Sequence, residues 1–166
     1  MPEAISDSST LIHLAGIERL EVLRELYHEV FIPPAVCKEV VEEGLSRPGA
    51  AEVKEAINAG WIKVIAPNNN SVVRLLEREL HKGEAEAIAL AIEQHANVVF
   101  LDELEARRVA NIYGLHRTGT IGILIRARLE GKIASLREEL NKLRDDAGFW
   151  IGDKIYRRAL QAVAEE

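Results

Sequence analysis

Short apolar runs alternate with stretches of helical spacing along most of the chain. Four runs read as strands: residues 4–6, then "EVFIP", "WIKVIAP" and "NVVFL". Each is brief, nearly continuous in apolar character and bounded by turn-forming residues, the pattern of a strand buried on both faces. "LHRTGT" reads as a short fifth strand or a loop. Between the runs, Leu11, Ile12, Leu14, Ile17, Leu20 and Leu23 fall on or near one face of a helix over residues 9–24. Pro34 opens a helix that runs through Glu43 and is closed by Gly44. Residues 50–58 form a helix ended by Gly60, and residues 71–80 another after the "NNN" turn. Gly83 breaks the chain before "EAEAIALAIEQHA", a strongly helical run. Helices follow at 103–113, capped by Gly114, and over "IGILIRARLE", ended by Gly131. Ser135 with Glu138 makes a capping box for residues 135–144, and a last helix covers 152–163.

Strands alternating with helices imply an α/β fold with a parallel, doubly wound sheet, because parallel neighbours need a helical crossover. Residues 121–166 lack strand pattern and read as a helical extension on an α/β core at 1–120. No linker divides the 166 residues, so a single domain is expected.

Composition narrows the class. The hydrophobic fraction is 48% but the aromatic fraction only 5%, so the core must be built mainly of Leu, Ile, Val and Ala. Cys37 is the single cysteine, which removes a disulfide framework and a Cys-based zinc site and fits a reducing cytoplasm. No basic-then-apolar leader is evident, and no apolar run approaches the roughly 18 residues that would span a membrane. A net charge of -6 excludes a globally basic nucleic-acid binder but not an acidic cation site that works on nucleic acid. The basic residues of the last quarter, Arg126, Arg128, Lys132, Arg137, Lys142 and Arg144 among them, either face phosphate or are neutralised by Glu130, Glu138, Glu139, Asp145 and Asp146. The second use is the expected one.

The acids carry the chemistry. Open parallel sheets form sites beyond the carboxyl ends of their strands. Asp7 follows the first strand and Asp102 the fourth, so both emerge on one edge, and they converge if those strands are neighbours. Glu39 lies on the helix after strand two, Glu84 opens the helix before strand four, and Glu103 adjoins Asp102. Glu86, two residues beyond Glu84, must point elsewhere. Each acid also has a structural use, as an N-cap for Asp7 and Asp102 or as a charge at a helix N-terminus for Glu84 and Glu103. Together they would repel one another at neutral pH unless they held cations, and hard oxygen ligands suit Mg2+ or Mn2+. The five histidines show no paired-ligand spacing, and "GLHRTGTIG" is neither a Walker loop nor a dinucleotide fingerprint.

The segments "AISDSSTLIHL", "VFIPPAVCKEVVEEG" and "GEAEAIALAIEQHANVVFLDELEARRVANIYGL" resemble PIN-domain proteins, the nuclease fold of VapC-type toxins. "GTIGILIRARLEGKI" resembles a prokaryotic PIN subgroup with a helical C-terminal extension. The resemblance implies a five-stranded parallel sheet flanked by helices, with Asp7, Glu39, Glu84 and Asp102 as catalytic and metal-binding acids. Glu84 stands where the family usually has aspartate, and Glu103 is the nearest match to a further acid. Ser9 resembles the hydroxyl residue that supports the first aspartate, and Arg107 pairs either with the acids or with an RNA phosphate. The implied activity is Mg2+- or Mn2+-dependent endoribonuclease cleavage of an RNA substrate, as the toxin partner of an antitoxin protein. Two further readings stay open: a PIN-like protein that binds RNA or a partner with little catalysis, and a phosphohydrolase of small esters. The lack of a D-x-D pair at Asp7 or Asp102 lowers the last of these. "IGILI" serves either a homodimer or the core.

Overall fold

The computed structural model describes residues 3–166. Five short parallel strands, β1 (Ala4–Ser6), β2 (Val30–Ile32), β3 (Ile62–Val64), β4 (Val98–Phe100) and β5 (Arg117–Thr118), form one sheet in the order β3-β2-β1-β4-β5. The chain builds outward from β1 through β2 to β3. It then crosses back to lay β4 against the other side of β1, with Ala4 beside Val98, Ile5 beside Val99 and Ser6 beside Phe100. The switch point of the sheet therefore lies between β1 and β4, where open α/β sheets place their sites.

Successive side chains of a strand point to opposite faces, and two apolar clusters result. Ala4 and Phe100 enter one, with Leu11, Leu23, Ile123 and Leu140. Ile5 and Val99 enter the other, with Ile88, Leu90 and Val109. The helices are α1 (Ser8–Gly16), α2 (Glu21–Tyr27), α3 (Pro34–Cys37), α4 (Ala50–Ala59), α5 (Asn70–Leu76), α6 (Lys82–Gln94), α7 (Leu104–Ile112), α8 (Thr120–Leu129), α9 (Leu136–Asp145) and α10 (Asp153–Ala162). Among them α8 to α10 share the first cluster with α1 and α2, and Glu139 of α9, 2% exposed, pairs with Arg19 beyond α1 at 2.5 Å. Within "IGILI", Ile123 and Leu124 are fully buried in this core. No helix among the described residues is long and apolar enough to cross a membrane.

Three expectations need correction. The predicted helix over 9–24 is two helices: after Gly16 the chain turns, and Glu18 takes a left-handed φ of 59°. The helix from Pro34 changes character after Cys37, where Lys38–Glu42 widens to a π-helical turn and Glu43 N–H donates to Lys38 O at 2.9 Å. Glu39 sits in that turn, and such local widening recurs at functional sites. Gly83 does not break the chain; it lies inside the first turn of α6.

Part of the basic C-terminal quarter is paired, while Lys132, Arg137, Lys154, Arg157 and Arg158 form no ion pair among the described residues. Arg126 meets Glu130 at 2.6 Å, Arg128 meets Glu165 at 3.0 Å, and Lys142 reaches Glu139 at 3.5 Å. These residues serve helix faces, and each exposed pair is worth little.

Candidate functional site

Asp7 ends β1 and caps α1. Its Oδ1 accepts the Thr10 N–H at 2.9 Å, its Oδ2 accepts the Asp102 N–H at 3.2 Å, and its own N–H donates to Phe100 O at 3.1 Å. The ends of the two central strands are thus laced together through one carboxylate that is 1% exposed. Burial first, and then the Asp102 charge, push the Asp7 carboxyl up from its ordinary 3.8 to about 7, against the pull of the Thr10 and Asp102 N–H groups.

Asp102 lies two residues past β4 and is held differently. Its Oδ1 accepts the Thr120 N–H at 2.7 Å, while Oδ2 accepts the Thr120 hydroxyl at 2.6 Å and meets His13 Nδ1 at 2.7 Å. It caps α8 rather than its own helix α7; Glu103 precedes α7 and makes no side-chain cap. Burial works to raise the Asp102 carboxyl, but the bonds from His13 and Thr120 outweigh it and hold the group below its ordinary value. The two neighbouring acids are therefore driven apart in proton affinity, one toward the acid and one toward the anion. Close approach fixes Gly119 beside them: a Cβ there would stand 2.7 Å from Asp102 Oδ1 and 3.1 Å from Leu101 O.

Glu84, in the first turn of α6, is 9% exposed and accepts the His81 N–H at 3.2 Å. Burial raises its carboxyl, and the charges of Glu103 and Glu39 add to the effect. Glu39 is half-buried on the π-helical turn and Glu103 is exposed. The Gly83 position, from which a Cβ would lie 3.5 Å from Ser8 Oγ and 3.8 Å from Glu39 Oε1, joins this second group to the start of α1. Ser8 Oγ is buried there without a hydrogen-bond partner.

The structure thus forms two acid groups on one edge: Asp7 with Asp102, and Glu84 with Glu39 and Glu103. Among the described residues no three His, Cys, Asp or Glu side chains stand close enough to share one ion. The donor set fits a hard divalent cation in kind, being carboxylate oxygen throughout, with a buried acid held near neutrality and an orphaned hydroxyl beside it. Gathering the acids round one ion requires their side chains to turn, because the Asp7 and Asp102 oxygens are occupied by hydrogen bonds within the chain.

Other residues fall differently from expectation. The support for Asp7 comes from the Thr10 N–H, while Ser9 is half-buried. Arg107 forms no ion pair among the described residues, and its buried Nε has no partner. Glu86 Oε1 accepts the Ala35 N–H at 3.0 Å, capping α3, and Glu86 lines a cleft shared with Glu39 and His81. Sequence reasoning misses His13, Gly119 and Thr120. The spacing of His13, three residues after Thr10 on the helix that Asp7 opens, is the one available signal for it. If the chain has the ribonuclease activity that the sequence resemblance implies, Glu84→Gln is expected to lower it more than Glu86→Gln, since the glutamine oxygen at 86 still accepts from Ala35. Glu86→Ala should cost about 1 kcal/mol of stability through the lost cap. Cleavage rates and thermal melts of the three variants check this.

In an open α/β sheet the switch point is where ligands bind, and in this sheet Asp7 and Asp102 stand there. The chain belongs to the PIN-domain family: the model of the DUF3368 family, a PIN domain, matches residues 3–165. PIN domains are a nuclease-type fold, which supports a hydrolase role in broad terms. No curated protein matches the sequence.

Proposed function

We propose that this chain is a divalent-cation-dependent endoribonuclease and the toxin half of a toxin–antitoxin pair, with RNA as substrate and an antitoxin protein as partner. One observation carries the reading. Asp7, 1% exposed, and Asp102, half-buried as a residue with its side chain 5% exposed, stand at the ends of adjacent parallel strands and are joined through the Asp102 N–H at 3.2 Å. A buried pair of acids is costly to keep ionised without a cation. Asp7, Glu39, Glu84 and Asp102 would hold Mg2+ or Mn2+, with Glu103 at the rim. The bound cation would supply activation of a water and stabilisation of charge on the phosphate undergoing in-line attack, leaving 3′-hydroxyl and 5′-phosphate ends. The chain's own residues set the geometry. His13 and Thr120 fix the Asp102 carboxylate and keep it ionised, and Glu39 completes the site or orients the water.

A second reading, a PIN-like protein that binds RNA or a partner with little cleavage, is favoured by the spacing of the acids, no three of which stand close enough among the described residues to share an ion. Titration of the purified protein with Mn2+ or Mg2+ separates the two, with thermal stability and cleavage of a mixed RNA pool followed together. The expected result is cation-dependent stabilisation with cleavage that leaves 5′-phosphates and stops in EDTA. Stabilisation without cleavage selects the second reading. No response to either cation returns the acids to helix capping alone.

A further inference from the structure

A cleft of about 540 Å³ opens beside Asp102, lined by Arg107, Arg117, Phe149, Trp150 and Ile155 among others. Trp150 is 82% exposed and Ile155 51%, a large apolar surface left in water at the edge of the acid site. The indole lies against the backbone at Gly152, where a Cβ would meet Trp150 Cη2 at 3.2 Å and Cζ3 at 3.7 Å. The cations are also placed. Arg117 Nε donates to Arg107 O at 3.0 Å, which ties β5's guanidinium to α7, and Arg107 Nε is buried without a partner. Neither arginine pairs with a carboxylate among the described residues, in a chain whose net charge is -6.

We propose that this cleft binds an unpaired nucleotide of single-stranded RNA, its base stacked on Trp150 and its phosphate held by Arg107 and Arg117. The assignment deepens the nuclease reading and rests on it for the register of that nucleotide against Asp102. Two guanidinium groups with no carboxylate partner among the described residues call for an anion, and an exposed indole in the same cleft calls for a flat apolar partner. A nucleotide supplies both at one repeat of its backbone. A duplex cannot use the ring, because its bases are already stacked on one another.

The test is binding without chemistry, in EDTA, using a 5′-fluorescein single-stranded RNA of mixed sequence followed by anisotropy and by tryptophan emission. The chain has two tryptophans, and Trp61 is 5% exposed, so quenching by RNA reports Trp150. Trp150→Ala should weaken binding about five- to hundred-fold and abolish the quenching. Trp150→Phe should recover most of the affinity, and the same sequence as a duplex should bind without quenching. Arg107→Ala and Arg117→Ala should each reduce the slope of log affinity against log salt by about 0.7. Unchanged affinity in Trp150→Ala, with no quenching in the parent protein, overturns the proposal and leaves the cleft to an acidic protein segment. The nuclease reading fails separately. Quenching at Trp150 with no cleavage in Mn2+ keeps the cleft assignment and removes the enzyme, whereas cleavage of unchanged rate and affinity in Trp150→Ala does the reverse.

Discussion

Asp7→Asn and Asp102→Asn are each expected to cut cation-dependent RNA cleavage by more than about a hundred-fold while the protein remains folded. Replacing a residue that merely orients a metal ligand costs about 10–100-fold, and a ligand itself should cost more. The hydrogen bonds show why the fold survives. Asparagine at 102 keeps one oxygen for the Thr120 N–H, and its amide can donate to His13 Nδ1 and the Thr120 hydroxyl, the two groups that now meet Oδ2. The network closes again with a change of imidazole tautomer, so what is lost is the charge. Asparagine at 7 keeps the Thr10 N–H on its oxygen but turns a donor toward the Asp102 N–H. That costs about 1–3 kcal/mol for the orphaned group, offset by removing a buried carboxylate. If both acids serve one ion, the double variant should be no slower than either single one. Initial cleavage rates at saturating Mn2+, with melts of each variant, are the measurement. Undiminished cleavage in either variant takes that acid out of the site.

Much of this arrangement is legible in the sequence because its signals are local. Short apolar runs mark the strands, and Asp7 and Asp102 stand out because each ends such a run. The break between α1 and α2 is not legible, because Leu11 through Leu23 keep helical spacing across a turn made by the backbone of Glu18. Gly83 misleads in the opposite direction, since a glycine reads as a stop while here it lies inside the first turn of α6. The partners of Asp102 are hidden by distance along the chain. His13 lies 89 positions away and Thr120 lies 18 positions away. No periodicity encodes that Asp102 caps α8 rather than α7, or that Glu86 caps α3 from a helix 51 positions later. Capping is compatible with the proposed cation-binding use, because it holds the Asp7 and Asp102 carboxylates at defined places on the edge.

Metal-free protein is expected to lose stability as pH rises from about 4 to 7. The Asp7 carboxyl, raised from 3.8 to about 7, keeps its proton in the folded state through a range where the unfolded chain has released it. The folded state then binds more protons, so stability falls with pH across that window and is level above it. At about 1.36 kcal/mol per pH unit the group accounts for on the order of 4 kcal/mol. Glu84, also raised by burial, acts in the same direction from 4.5 upward. Asp102, held below its ordinary value, contributes stability that is lost only as pH falls below 3.8, outside the window. Asp7→Asn should therefore flatten the profile between about pH 5 and 7. A cation held by these carboxylates requires Asp7 ionised, so Mn2+ should raise the melting temperature more at about pH 8 than at about pH 5. That difference should vanish in Asp7→Asn. Melts in EDTA and in Mn2+ across this range decide the matter: parallel profiles for the two proteins would place the proton on some other group and separate Asp7 from cation binding.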